Sequence, residues 1–120
     1  MEELKIRVRE KDGVTVFDIE GEIRLLDQPD VSLLTTVKEQ LEEGKSNILF
    51  NLKNVEFIDS FGIGEIVASL ISIGKKGGHH KLANVSSRVM LILKYSRLTA
   101  LIDVYESENA ALESFQEVSN

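Results

Sequence analysis

The stretch from Asn47 to Leu52 (Asn-Ile-Leu-Phe-Asn-Leu) constrains this chain more than any other. It is short, apolar and free of glycine and proline, which suits a strand covered on both faces. Such a strand belongs in the middle of a largely parallel sheet, whose neighbours must be joined by crossovers, usually helices. The flanking segments supply them. From Asp30 to Glu43 the apolar residues Val31, Leu34, Val37 and Leu41 fall at helical spacing, with Asp30 as N-cap and Gly44 as stop. A second helix is expected over Ser60 to Lys75, ended by Gly74 or by Gly77-Gly78, and a strand over Lys81 to Val85. Ser87 to Ser96 carries Val89, Ile92 and Leu93 at helix spacing, Leu101 to Tyr105 forms a last strand, and Asn109 to Glu117 a closing helix. Ahead of these, Leu4, Ile6 and Val8 alternate with Lys5, Arg7 and Arg9. Asp12-Gly13 then turns the chain into a second strand that runs from Val14 through Gly21 to Ile23. These elements compose an α/β domain: a mixed, mostly parallel sheet of about five strands, opened by a β-hairpin and accompanied by about four helices.

At 120 residues the chain is the size of one domain, and 42% hydrophobic with 28% charged residues is an ordinary globular balance. The absence of cysteine rules out disulfides, thiolate chemistry and cysteine metal sites, and fits a reducing cytosol. The charged start Met1-Glu2-Glu3-Leu4-Lys5 lacks the pattern of a signal peptide. The longest apolar run, near Ile66 to Ile73, is broken by Ser69 and Ser72 and is far short of the ~20 residues that cross a bilayer. A formal net charge of −6 argues against general nucleic-acid binding and favours a partner with a basic docking surface. The expected location is the cytoplasm, with no membrane insertion.

Val55 to Gly64 is the most informative segment. In open α/β sheets, ligands and partners bind where strands end and helices begin. Ser60 falls at or next to a first helical turn, where backbone N–H groups lack partners and the helix dipole favours negative charge. Three readings fit it. The hydroxyl can cap the helix; it can accept a phosphate, which suits the helix start and conflicts with Asp59; or it can be a nucleophile, for which the local sequence supplies no base. Gly62 and Gly64 have GxG spacing without the lysine or third glycine of a nucleotide loop, so close packing of the helix on a strand explains them better.

Phe57-Ile58-Asp59-Ser60-Phe61-Gly62-Ile63-Gly64 resembles the signature of STAS domains in anti-sigma factor antagonists. The resemblance extends to Gly21-Glu22-Ile23, to Asn51-Leu52 through Val55, to Val85 through Val89 with Leu98 and Ile102, and to Glu106 through Leu112. It implies that Ser60 is phosphorylated by an anti-sigma factor that is also an ATP-dependent serine kinase. It further implies that the unmodified protein binds this kinase and frees a sigma factor, and that a serine phosphatase resets the cycle. In the scheme the resemblance implies, the antagonist itself needs no cofactor and is expected to be no enzyme. The implied docking surface comprises Asp59, Ser60, Phe61, Gly62 and Ile63, with Glu22, Arg24 and Asp27 from the loop that lies beside the phosphoserine. Phe61 stands where the family usually has a small residue, and Arg24 where many members carry aspartate. Asp-Ser-Phe also resembles the small scaffold subunit of stressosomes. A structural STAS scaffold, either stressosome-like or part of a lipid transporter, is therefore the alternative, one that phosphorylation does not gate.

Four further features have simpler explanations. His79-His80 has no third ligand nearby, so a solvated loop is expected and no metal site. Lys75-Lys76 suits a helix C-terminus. Asp27 to Asp30 reads as turn and cap chemistry. Met90 to Leu93 is four apolar residues in a row, which cannot all face inward, and one or two of them are candidates for a dimer or partner patch. A monomer or weak homodimer is expected.

Overall fold

The computed structural model describes residues 3–25 and 32–118. Asp12 and Gly13 both take positive φ, 52° and 79°, the two-residue turn whose twist matches a hairpin. They join β1 (Lys5–Lys11) to β2 (Val14–Ile23) in antiparallel register, with Lys11 opposite Val14 and Lys5 opposite Glu20. β2 runs parallel to β3 (Asn47–Ile58), β3 to β4 (His79–Ala83), and β4 to β5 (Asp103–Tyr105). The strands lie side by side in chain order.

Every parallel step moves the same way across the sheet, so right-handed crossovers place their helices on one face. These are α1 (Leu33–Glu42), α2 (Ser60–Lys75) and α3 (Ser87–Tyr95). There Phe17, Ile48, Phe50 and Leu52 pack with Leu33 and Val37 of α1, Ile66 and Ile73 of α2, and Val89 and Leu93 of α3. α4 (Glu108–Val118) follows β5 and covers part of the reverse face, setting Ala111, Leu112 and Phe115 against Val14, Val16, Leu49 and Ala83. Ile48, Leu49 and Phe50 therefore alternate between two cores, which is why this strand reads as continuously apolar. Each such side chain, fully buried, contributes roughly 1.5–3 kcal/mol of transfer free energy.

The reverse face turns polar at the start of α4. Arg9 is held by Asp18, Nε to Oδ2 at 2.6 Å, and by Glu108. Asn51 donates to Asp18 at 3.2 Å. The Arg9 hydrogen bond holds the Asp18 carboxyl below the usual carboxylate range, and Asp18 and Glu108 together raise the guanidinium. The cluster ties the hairpin, β3 and α4 together. Lys81 is buried nearby, donating to Ser114 Oγ at 2.8 Å, with its ammonium 5.0 Å from the Phe115 ring centre and 5.3 Å from that of Tyr105.

Several boundaries differ from expectation, each for a tertiary reason. The strand expected over Asn47 to Leu52 runs on to Ile58, because β2 reaches Ile23 and offers the extra residues a partner; two register shifts, after Asp18 and after Gly21, absorb the mismatch. α1 begins at Leu33 with Ser32 as N-cap, and Asp30 lies outside the described residues. Leu33, Val37 and Leu41 form its buried stripe, while Leu34 is half-buried. Gly44, at φ 84°, ends α1 as expected, and Gly77, at φ 75°, ends α2. β4 starts at His79 and stops before Asn84 (φ 59°), and a 3-10 turn at Leu98–Ala100 delays β5 to Asp103. His79-His80 is thus no solvated loop. Pairing with Asn47 and Ile48 draws both into the sheet; the pleat leaves His79 outside and buries His80 against Phe50, with ring centres 4.3 Å apart.

Candidate functional site at the start of helix α2

The end of β3 leads directly into α2. Asp59, not Ser60, is the N-cap: its backbone is extended (φ −94°, ψ −176°) and its Oδ1 accepts from the Gly62 N–H at 2.9 Å. Aspartate is as good a cap as serine, and it comes one residue earlier. Ser60 is therefore the first helical residue. Its side chain is exposed, and among the described residues no hydrogen bond engages its hydroxyl.

The helix tip sits on the end of β2. The Asp59 N–H donates to Ile23 O at 3.2 Å, and Asp59 Oδ2 accepts from the Leu25 N–H at 3.1 Å. Gly62 is buried, and a Cβ there would meet Ile23 O at 2.5 Å, so the close-packing expectation holds for this glycine. It fails for Gly64, which is exposed and has nothing within 4 Å of such a Cβ.

The structure brings most of the expected docking residues to this corner. Glu22 and Arg24 form an ion pair at 2.9 Å, and the Arg24 guanidinium lies 5.6 Å from the centre of the Phe57 ring. The positive charge that departs from the family pattern is thus matched by Glu22. Phe61 and Ile63 are both half-buried. Asp27 lies outside the described residues.

Beside Ser60 opens a groove of about 780 Å³ between α2 and α3. Phe57, Ile63, Leu91, Ile92 and Tyr95 give it an apolar lining, with Ser60 and Arg88 also contributing. Leu91 is 59% and Tyr95 89% exposed, so the apolar run Met90 to Leu93 does place a residue on the surface. Tyr95 and Arg88 were not singled out from the sequence, and their isolated positions carry no periodic signal.

Glu65 was also missed. From the second turn of α2 its Oε1 accepts from Ser32 Oγ at 3.0 Å, Leu33 N at 3.1 Å and Leu34 N at 3.4 Å. One helix thereby caps the start of another, pinning the far end of the β2–α1 connection. A carboxylate in a second helical turn looks like ordinary surface charge until its neighbour is known.

Both Asp59 oxygens are engaged by backbone donors, and the two histidines pair with Asn47 and Ile48, at the opposite end of β3 from Ser60. What remains is a helix tip carrying an accessible hydroxyl beside an apolar groove, on a sheet whose strands run in chain order. That defines a small α/β domain with its candidate site at a helix start. Residues 5–111 match the STAS domain, and the chain belongs to that family. It is 29% identical over 121 residues to the anti-sigma F factor antagonist of Paenibacillus polymyxa, spanning 97% of this chain and 98% of that protein. It superimposes with a TM-score of 0.82 on an anti-sigma factor antagonist from Mycobacterium paratuberculosis, at 21% identity and 94% coverage of each chain. A Bacillus cell fate determinant solved in its phosphorylated form shares the fold with a TM-score of 0.66 at 18% identity, covering 92% of this chain and 98% of that one. Among the described residues no helix is long and apolar enough to cross a membrane.

Proposed function

We propose that this protein is an anti-sigma factor antagonist acting in the cytoplasm as a phosphorylation-gated binding module rather than an enzyme. With Ser60 unmodified it docks an anti-sigma factor serine kinase and so frees a sigma factor. Phosphorylation of Ser60 by that kinase releases the complex, and a serine phosphatase restores binding. The docking surface is the helix tip Asp59, Ser60, Phe61, Gly62 and Ile63 with Glu22, Arg24 and Asp27, extended by the groove that Leu91 and Tyr95 line.

One observation carries this reading: Ser60 is exposed at a helix start and its hydroxyl is uncommitted among the described residues, because Asp59 has taken over the capping. A phosphate there would put about −1.5 to −2 charge on the edge of an apolar groove, where an interface must exclude water. Binding is measured with the kinase encoded nearest the gene, using the wild-type protein, Ser60→Ala and Ser60→Glu. Ser60→Ala is expected to bind like wild type and Ser60→Glu at least tenfold more weakly. Equal affinity for all three would reject the gate. Intact mass after incubation with kinase and ATP should show a single phosphate, absent in Ser60→Ala.

A further inference from the structure

The carboxylate that caps α2 also holds the end of β2. Asp59 Oδ1 takes the Gly62 N–H and Oδ2 takes the Leu25 N–H, so one side chain bridges the helix tip and the residue next to Arg24. We propose that Asp59 is a relay: phosphorylation of Ser60 drives its carboxylate off the Leu25 amide. The modification is then felt around Glu22 and Arg24 as well as at the helix tip. This inference rests on the phosphorylation of Ser60 put forward above and specifies how that site is regulated.

The chemistry sets two anions in competition. Transfer of the γ-phosphoryl group of ATP to Ser60 Oγ breaks its bond to the β-phosphate oxygen, releasing ADP and the hydroxyl proton. A group of about −1.5 to −2 charge then adjoins the Asp59 carboxylate on the neighbouring residue. Both are drawn to the same helix start, where the dipole and the first-turn N–H groups favour one anion. Mutual repulsion acts on the weaker hold. The Leu25 contact is a single, solvent-exposed hydrogen bond. The seat on Ile23 is made by the Asp59 backbone N–H and by the close approach of Gly62, neither of which uses the carboxylate oxygen that holds Leu25. The expected change is therefore local: Leu25 is released while α2 keeps its place on β2. Glu65 provides an internal reference. It lies five residues along α2 and holds Leu33 and Leu34 independently of Asp59.

The exchange measurement uses the protein alone, and kinase binding of the same samples is measured beside it. Phosphoserine is installed at position 60 by nonsense suppression, and amide exchange of the whole chain is followed residue by residue with NMR against the unmodified protein. At pH 7.5 the Leu25 amide is expected to lose at least tenfold in protection while Leu33 and Leu34 keep theirs. The loss should shrink at pH 5, below the second phosphate pKa of about 6. Ser60→Asn, similar in size and neutral, should keep Leu25 protected. Asp59→Asn should make Leu25 exchange independent of the phosphate. Unchanged Leu25 protection on phosphorylation overturns the relay, as does an equal loss at Leu33 and Leu34, which would mean general loosening. Loss of kinase binding with Leu25 still protected also overturns it, yet leaves the proposed function intact. Release of Leu25 with kinase binding unaffected supports the relay and removes the proposed function instead.

Discussion

His80 should make this protein acid-sensitive well above the range where carboxylates titrate. The imidazole is 5% exposed, stands edge-on to Phe50, and neither ring nitrogen has a hydrogen-bond partner among the described residues. Burial pushes its pKa from 6.5 down to about 3. Between those values the unfolded chain binds a proton that the folded chain refuses, so stability falls as pH drops. The loss begins near pH 6.5. At about 1.36 kcal/mol per unit it reaches about 2 kcal/mol at pH 5 and about 4 kcal/mol near pH 3, where the folded imidazole is itself half protonated. Asp18, which Arg9 holds below the usual carboxylate range, titrates lower and leaves the interval from pH 5 to 6.5 to the imidazole. Urea denaturation of wild type and His80→Leu across that interval checks the magnitude. Wild type should lose stability with a slope near the one-proton limit, and the variant should be nearly flat. At pH 7 the variant should also be the more stable, by about 1–3 kcal/mol, since it removes buried polar atoms that have no partner. Parallel slopes for the two proteins would refute the burial argument.

Four other expectations follow from contacts at the site, at the start of α1 and in the polar cluster on the reverse face. Gly62→Ala should cost about 2–4 kcal/mol, because the new methyl meets a backbone carbonyl that cannot swing aside. Gly64→Ala, two residues on and in open space, should raise stability by up to ~1 kcal/mol; thermal melts of the pair separate the two roles. Glu65→Ala should lower stability by about 1–2 kcal/mol and speed amide exchange at Leu33 and Leu34, which lose their acceptor, with Ser60 unaffected. Arg9→Met should cost about 1–2 kcal/mol at neutral pH by breaking the link between Asp18 and Glu108. The deficit should narrow as pH falls below the ordinary aspartate range. A low folded-state pKa at Asp18 stabilises only while the unfolded carboxyl would be charged, so its contribution fades under acid.

Much of the fold is written in local patterns. The Asp12-Gly13 turn, the alternation in β1, the apolar core of β3 and the stop at Gly44 depend on residues within a few positions of one another. The position of Ser60 at a helix start was legible for the same reason, since a cap is a short-range device. Which of two adjacent residues caps was not, because aspartate and serine serve almost equally and the Leu25 amide, 34 residues back in the chain, helps to hold Asp59.

By itself, the order of apolar periods determined an α/β sheet opened by a hairpin and placed one serine at the tip of its second helix. Only the tertiary structure decided that this hydroxyl stays free, that His80 is sealed in the core, that Glu65 caps a helix other than its own, and that α2 and α3 stand apart as an apolar groove. These outcomes depend on which elements become neighbours. Residues far apart in sequence leave no periodic trace of one another, so burial, borrowed caps and grooves come into being only when the sheet brings them together.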